Sequence, residues 1–355
     1  MSRRTASSLL ITAGKAAITI LALAIVLSQI DFSFVFSHRH KLSTLTLAAA
    51  LLLLATQTSL IAGLRLKLVL EALGQRRALS ETLQVALSGF FFEQVAFGFV
   101  GGDAMRVWQL HQSDVPLRTA LEAIVIDRFL GSFGLLLLAL VGLPGLLAVL
   151  TDYDWRVIVA VAAVAAPIAG ALAGVVLVQL ARRRRVAFIA EIVDLAAAAV
   201  RRPEVRRCLL SAFALASTTH FMNVFVFFLI GRDLSMGLGL GSWFLIAPPA
   251  LLISMLPISA GGWGIREASF VFGLASFGIR PEEAIIPPVV FGLGVLVVTL
   301  PGGIIWLANR ASRRTPGGTS PAGREGADAE READALAAAG SGEDPGRYRR
   351  ELMPG

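Results

Sequence analysis

Long apolar runs alternate with short polar links along this chain, and that spacing predicts an all-α membrane protein. A helix needs roughly 20 apolar residues to cross a bilayer, and most of the runs come close to that length. We therefore predict a polytopic fold with about six to eight transmembrane helices. The expected helices are 16–30, 42–63, 120–150 with an interruption near Pro144, 157–180, 209–230 and 284–308, with further apolar segments at 80–102 and 243–277.

The apolar segment 243–277 is interrupted by residues that a membrane helix tolerates poorly. Within 256–267 stand a proline, three glycines in four positions and an adjacent pair of opposite charges. Membrane proteins accept such non-helical backbone where it packs inside protein or lines a wet cavity. We interpret the stretch as the break between two half-helices that face a site. Its candidate site residues are Gly261, Gly262, Trp263, Gly264, Arg266 and Glu267.

A similar interruption occurs in the first half of the chain, at the end of segment 80–102. There Gly101 and Gly102 follow an apolar run and are followed by Asp103 and Arg106. Two interrupted segments, one in each half, are typical of transporters with a substrate site near the membrane midplane and an inverted repeat. The alternative is that both are interfacial loops that happen to contain glycine.

Composition strengthens the membrane interpretation and excludes other classes. Of 355 residues, 55% are hydrophobic and 16% charged, which excludes an ordinary soluble domain. The net charge of +7 comes from arginines in short links, so it is better explained by membrane topology than by nucleic-acid binding. A single cysteine and the lack of a Cys/His cluster predict no metal or other cofactor. We expect a membrane domain at 1–308 and a disordered cytoplasmic tail at 309–355, which is poor in large apolar residues.

Basic links decide the predicted topology, because positively charged loops stay in the cytoplasm. Residues 64–77 are interpreted as an amphipathic interfacial stretch on that side. If 80–102 crossed the membrane once, the strongly basic stretch 182–207 would lie outside the cell, so we predict that 80–102 enters and returns. The segment 243–277 either forms a second re-entrant hairpin or crosses twice. Both termini are then expected in the cytoplasm of a plasma-membrane protein.

Ionisable side chains inside the apolar runs mark further candidates, because charge facing lipid is costly. Glu122 is expected to pair with Arg118 one helical turn earlier. Adjacent residues on a helix do not face each other, so Asp127 and Arg128 need partners elsewhere, across a cavity. The accessory candidates are Glu93, His220 and Asn223. The last two share one helix face and are expected to form interhelical hydrogen bonds rather than a proton relay.

The chemistry of these residues suits an anionic ligand. Glycine-rich turns that open half-helices present free backbone N–H groups and a positive dipole end. Arg106, Arg128 and Arg266 can add charge-assisted hydrogen bonds to a phosphate. The neighbouring carboxylates can hold these arginines, receive an amine or carry a coupling proton. The residues alone do not distinguish a phospholipid, a polyprenyl-phosphate lipid and a soluble anion.

Three motifs in this order resemble the lysylphosphatidylglycerol synthase transmembrane (flippase-like) family. They are Gly101-Gly102-Asp103-Ala104-Met105-Arg106, Asp127-Arg128-Phe129-Leu130-Gly131 and Pro257-Ile258-Ser259-Ala260-Gly261-Gly262-Trp263-Gly264-Ile265-Arg266-Glu267. The resemblance implies an integral plasma-membrane protein whose relatives move aminoacylated phosphatidylglycerol between leaflets. Those relatives carry a soluble lysyl-transferase domain, which we do not expect here. Other members are associated with isoprenoid-linked glycolipids and hopanoids, so the lipid does not follow from the family.

Three functions remain open at this point. We favour a non-enzymatic translocator of a phosphate-containing lipid, either phosphatidylglycerol-derived or isoprenoid-linked. Because no P-loop motif is found, we expect that movement to be driven by a gradient, a potential or mass action. The second function is a membrane-embedded lipid-modifying enzyme that uses Asp103, Asp127 or Glu267 as acid or base. The third is an accessory subunit of a separately encoded lipid synthase, docked through 182–207.

Overall fold

The computed structural model describes residues 42–95, 99–150, 154, 157, 195, 197–255 and 262–312. All regular elements in these ranges are helices, which confirms the all-α prediction. The helices are α1 Thr44–Thr56, α2 Ala62–Ala72, α3 Leu79–Val95, α4 Phe99–Gln112, α5 Leu117–Val149, α6 Pro203–Asp233, α7 Leu240–Ser254, α8 Ile265–Ala275, α9 Pro281–Ala284 and α10 Ile286–Ser312. A π-helical segment, Gln57–Ile61, joins α1 to α2.

Four helical runs in the described ranges are long and apolar enough to cross a membrane. They are Thr44–Ala72, Leu117–Val149, Pro203–Asp233 and Pro281–Ala308. Their outer faces carry exposed large apolar side chains such as Leu52, Phe129 and Ile304, as expected where lipid is the solvent. The predicted helix at 16–30, nearly all of that at 157–180, and the tail beyond 312 lie outside the described residues. The total number of helices and the disorder of the tail therefore stay predictions.

An aromatic cluster forms the centre of one core, where α6, α7, α8 and α10 meet. The ring of Phe227 lies 4.4 Å from that of Phe270 and 4.6 Å from that of Phe291, between centroids. Trp243 stacks on the same Phe227 ring and is fully buried. Lipid tails are as apolar as these rings, so close van der Waals packing rather than exclusion of water holds the helices together here.

The first long helical run differs from its prediction, because it continues to Ala72 without a separate interfacial stretch. The prediction of such a stretch was wrong for residues 64–72. Within the π segment, the hydroxyl of Thr58 donates to the Leu54 carbonyl at 2.8 Å, so the polar residue is satisfied inside the helix. Farther along, Arg65 is buried against a carboxylate of another helix. A paired charge does not force the helix to end at the membrane surface.

Helix α5 also differs from its prediction, because it passes through Pro144 without interruption. The proline lies near the end of the helix, close to its last residue Val149. Proline removes one backbone hydrogen bond, a loss that membrane helices accept when neighbouring groups compensate. The interruption predicted there was wrong.

Helices α3 and α4 form a tightly packed hairpin around the first glycine pair. Helix α3 ends at Val95 and α4 begins at Phe99, so Gly101 and Gly102 are helical residues in the first turn of α4, directly after the predicted interruption. A Cβ on Gly102 would lie 2.7 Å from the Gly89 carbonyl oxygen of α3. Gly102 therefore allows α4 to pack closely against α3. Its backbone angle is not one that requires glycine.

The second predicted break is confirmed, because α7 ends at Ser254 and α8 begins at Ile265. Residues 256–261, including Gly261, lie outside the described part of the chain. Gly262 and Gly264 have φ angles of 77° and 82°, in the left-handed region that favours glycine. The glycines of this motif thus set the backbone direction from which α8 starts.

The two ends of the α3–α4 hairpin meet at one end of the helix bundle. A guanidinium N–H of Arg77, just before α3, donates to the backbone carbonyl of Ser113, just after α4. At the other end of the α1–α2 rod, the Ser43 hydroxyl donates to the Asp233 carboxylate at 2.8 Å. The link after α2 and the link after α4 therefore lie together, opposite the link after α6.

This arrangement predicts the side from which each link is accessible. In a Cys208→Ser background, single cysteines replacing Gln75 and Ser113 should react with an impermeant thiol reagent from the same side of the membrane. A cysteine replacing Ser235 should react from the opposite side and serves as the control. Labelling of the 75 and 113 positions from opposite sides would show that the hairpin crosses the membrane.

Candidate functional site

The first element of the candidate site is a buried ion pair between α2 and α5. Arg65 Nε donates to Asp127 Oδ1 at 2.5 Å and Arg65 Nη2 to Asp127 Oδ2 at 2.8 Å. Both side chains are almost fully buried. The expectation that Asp127 has a partner on another helix is confirmed. Two parallel hydrogen bonds fix the orientation as well as the distance of the two helices.

The neighbouring Arg128 points the other way and joins three helices. Its Nε donates to Asp103 Oδ2 of α4 at 2.8 Å, and its Nη2 donates to Glu93 Oε2 of α3 at 2.8 Å. Arg128 is thus also held by partners on other helices, as expected from its position next to Asp127. The two adjacent charges of α5 face different helices because neighbouring residues on a helix point about 100° apart.

Arg106 lies behind this cluster and does not reach the cavity described below. It is 3% exposed, and its guanidinium carbon sits 4.6 Å from the centre of the Phe90 ring. Its Nη1 lies 3.3 Å from Asp103 Oδ1, and its Nη2 lies 3.8 Å from Glu93 Oε2. We predicted that Arg106 would contact the ligand, whereas its position ties α4 to α3 and neutralises the two carboxylates that hold Arg128.

The motif at 257–267 presents a guanidinium from the start of α8. Arg266 Nη2 donates to Glu267 Oε1 at 2.6 Å, and its guanidinium carbon lies 4.6 Å from the centre of the Trp263 ring. The other Glu267 oxygen accepts the Gly264 backbone N–H at 2.5 Å, which satisfies one free donor at the helix N-terminus. The bond to Gly264 draws the Glu267 side chain back toward the helix start, where Glu267 also accepts from the guanidinium of Arg266.

A cavity of about 180 Å³ brings together side chains of the motifs at 127–131 and 257–267. Its polar lining consists of Gln57, Thr58, Arg65, Glu93, Gln94, Asp127, Arg128, Thr219, His220, Asn223, Ser254 and Arg266. Its apolar lining includes Phe90, Leu135, Leu251, Met255, Phe291 and Val295. Side chains from α3 and α5 in the first half and from α8 in the second half thus reach the same space.

His220 and Asn223 line the cavity and also join helices. His220 Nε2 lies 2.8 Å from the Gly131 carbonyl oxygen of α5, and Asn223 Oδ1 accepts from Gln57 Nε2 at 2.7 Å. The predicted interhelical hydrogen bonds are therefore present. Their place in the cavity wall adds a second property, because the same polar groups face the space in which a ligand would lie.

The predicted site residues within the described ranges divide into four groups. Glu93, Asp127, Arg128, His220, Asn223 and Arg266 line the cavity. Asp103, Arg106, Trp263 and Glu267 contact lining residues from behind, and Gly262 and Gly264 shape the start of α8. Gly101 and Gly102 lie in α4, where Gly102 contacts α3. The Arg118–Glu122 pair, expected to be structural, is confirmed at 3.3 Å and lies away from the cavity lining.

Sequence reasoning missed several lining residues, of which Arg65 matters most. It was assigned to an interfacial stretch because basic residues usually mark the membrane surface. The unpartnered Asp127 was the available signal, since a buried carboxylate requires a cation. Gln57, Thr58 and Ser254 were missed because single polar residues in apolar helices usually serve helix packing.

The charges of the site cancel within the described residues. Arg65, Arg106, Arg128 and Arg266 are matched by Glu93, Asp103, Asp127 and Glu267. A balanced cluster lowers the cost of placing eight charges among apolar helices. An anion that enters the cavity therefore has to share or displace these carboxylates. The expectation that no metal or other cofactor is needed stays a prediction.

The sequence matches the family model described as the lysylphosphatidylglycerol synthase TM region over residues 11–304. The match covers most of the chain and includes all three motifs and all the residues that line the cavity. No protein with a curated description matches the chain.

The Arg65–Asp127 pair leads to a prediction about stability. Replacing Asp127 with alanine should lower the free energy of unfolding by about 3–5 kcal/mol, because it leaves a buried guanidinium without its partner. Thermal unfolding of the purified protein in detergent would measure the loss. Arg280→Ala, which removes an exposed pair with Glu283, is the control and should remain near wild type. A similar melting temperature for both variants would contradict a structural role for the buried pair.

Proposed function

Because this chain belongs to the lysylphosphatidylglycerol synthase transmembrane family, we propose that it binds a phosphate-containing membrane lipid and moves it between the two leaflets. The observation that carries the proposal is the cavity in which Arg128 and Arg266, from opposite halves of the chain, line the same space. Polar and charged side chains from several helices reach that space, while the outer helix faces carry exposed apolar side chains. Such a site suits a charged headgroup whose acyl chains remain in the surrounding lipid.

Both arginines are held in geometries that suit phosphate recognition. A guanidinium presents several N–H donors in one plane and binds phosphate oxygens two at a time. Arg266 is fixed by Glu267 on one side and by the rings of Trp263 and Phe291 on the other. A donor that is already oriented loses little conformational entropy when the ligand arrives.

The balanced charges favour a carrier that releases its ligand. Glu93 and Asp103 already occupy Arg128, so a phosphate must exchange with carboxylates instead of meeting bare cations. The net affinity for the phosphate is then the difference between its interactions with Arg128 and the carboxylate interactions that it replaces. A translocator needs binding that is strong enough to admit the headgroup and weak enough to let it leave. This supports transport rather than permanent lipid binding.

We further propose that the chain lies in the plasma membrane with the α3–α4 hairpin re-entrant from the cytoplasmic side. The contact between Arg77 and Ser113 supports a hairpin whose ends share one side. Arg76 and Arg77 lie at this end, and positively charged links usually stay in the cytoplasm.

Movement of lipid in liposomes that contain only this protein would separate a translocator from an accessory subunit, and unchanged lipid chemistry after the assay would separate it from an enzyme.

The proposal predicts the effect of removing either arginine. In proteoliposomes with fluorescent phosphatidylglycerol, Arg128→Ala and Arg266→Ala should each slow exchange between leaflets at least about tenfold, because each loses charge-assisted hydrogen bonds of roughly 1.5–3 kcal/mol. Arg266→Lys should restore little, because an ammonium cannot replace the planar grip.

Matched incorporation of each variant into the liposomes is verified before the rates are compared. Arg280→Ala keeps the cavity intact and should exchange lipid at the wild-type rate. If Arg266→Ala fails to accumulate, Arg266→Gln retains the volume and some hydrogen bonding without the charge. Wild-type exchange by Arg266→Ala or Arg266→Gln would remove the reason for placing the headgroup at this cavity.

A further inference from the structure

Arg106 is buried behind the cavity with two of its guanidinium donors unpaired. Its Nε and Nη2 have no hydrogen-bond partner among the residues that the structure describes, and the residue is 3% exposed. These two nitrogens form the edge of a guanidinium that matches the two oxygens of a carboxylate. Buried donors without a partner cost free energy, so this unpaired edge requires an explanation.

Two other arginines of the site use the same edge to hold a carboxylate. Arg65 donates from Nε and Nη2 to the two oxygens of Asp127, at 2.5 Å and 2.8 Å. Arg266 donates from the same two atoms to Glu267 Oε1, at 3.0 Å and 2.6 Å. The unpaired edge of Arg106 is therefore of the kind that binds carboxylates elsewhere in this protein.

Glu93 is the carboxylate that lies closest to this use. Its Oε2 accepts from Arg128 Nη2 at 2.8 Å and lies 3.8 Å from Arg106 Nη2. A charge-assisted N–H···O bond is about 2.7–2.9 Å long, so a shift of roughly 1 Å pairs Glu93 with Arg106. Gly89, one helical turn before Glu93, leaves room for this guanidinium, because a Cβ there would lie 2.1 Å from Arg106 Nε.

Asp103 is held more firmly and lies behind the lining residues. Its two carboxylate oxygens accept from Arg128 Nε at 3.0 Å and 2.8 Å, and its Oδ1 also accepts from Arg106 Nη1 at 3.3 Å. Glu93, in contrast, lines the cavity together with Arg128. A phosphate that arrives from the cavity meets the bond between Glu93 and Arg128 first, while Asp103 keeps both guanidinium groups in place.

Resting on the proposed function, we propose that Arg106 is a positioning residue that receives Glu93 when a phosphate group binds Arg128. The phosphate takes the Nη2 donor of Arg128, and the Glu93 carboxylate turns to the Nε and Nη2 edge of Arg106. Glu93 keeps a cation throughout the exchange, so no unpaired negative charge is left among apolar helices. Departure of the phosphate reverses the exchange.

A double-mutant cycle tests whether Arg106 acts through Glu93. Binding of dihexanoyl phosphatidylglycerol, a soluble short-chain probe, is measured by titration calorimetry on protein in phosphatidylcholine nanodiscs. Arg106→Gln should weaken binding about tenfold, the effect of one lost charge-assisted hydrogen bond. In a Glu93→Gln background, the same substitution should weaken binding by no more than about threefold, because no carboxylate then has to be received.

Arg280→Gln provides the control, because it makes the same substitution in an exposed ion pair. It should leave the affinity for the probe unchanged in both backgrounds. Equal weakening by Arg106→Gln with and without the Glu93 carboxylate would show that Arg106 acts only as a distant charge or a packing residue. That result would overturn the proposal.

A spectroscopic measurement covers the case in which Arg106→Gln fails to accumulate. Infrared difference spectra record the carboxylate stretching bands before and after the probe binds. Wild-type protein should show a band shift that is absent in Glu93→Gln and altered in Arg106→Lys, because an ammonium cannot offer the two-donor edge. A wild-type difference spectrum without a contribution from Glu93 would overturn the exchange.

The failure of this proposal is distinguishable from the failure of the proposed function. Additive effects in the cycle, together with lipid exchange between leaflets in proteoliposomes, would overturn the role of Arg106 and leave translocation in place. Coupled effects without leaflet exchange would support the role of Arg106 and contradict translocation. Coupled effects with inorganic phosphate alone would support the exchange and contradict a lipid ligand. If neither probe binds, both proposals are wrong.

Discussion

The cost of placing charge among apolar helices is the constraint on which the rest of this structure depends. An arginine or aspartate at the centre of a membrane helix costs a few kcal/mol even on the mildest scales. Here Arg65 and Asp127, 62 residues apart, meet through two hydrogen bonds. Arg128 is likewise held by carboxylates of two other helices. Each charge removes the penalty of its partner only if the helices adopt one particular arrangement.

This requirement makes the buried pairs a device for specificity more than for stability. Replacing buried ion pairs with apolar residues often leaves a protein equally stable, whereas removing one partner is strongly destabilising. In a membrane, apolar contacts alone discriminate weakly between alternative helix arrangements, because lipid is equally apolar. The charge cluster and close contacts such as that of Gly102 with Gly89 therefore select one packing. The cavity results from that packing, since the pairs hold polar groups around a space that side chains do not fill.

The same constraint bears on the transport proposed above. A site of zero net charge can lie within the bilayer without a bound ligand, and it can exchange one of its own carboxylates for a phosphate at small net cost. Arg266 extends the site from the other half of the chain through a helix start shaped by Gly262 and Gly264. The two halves thus contribute different forms of support, a three-helix charge cluster on one side and an aromatic-backed helix N-terminus on the other.

Much of this fold could be predicted from the sequence, because apolar run length and the position of glycine and proline act locally. Such local features predicted the helical class and the break between α7 and α8. They also identified the candidate charges of the three motifs. The tertiary structure alone decided which charges meet. It paired Asp127 with Arg65, placed Arg106 behind the cavity, made Gly101 and Gly102 part of a helix, and brought Gln57 into the wall. Partner choice depends on distances between residues far apart in the chain, and composition along the sequence carries no record of those distances.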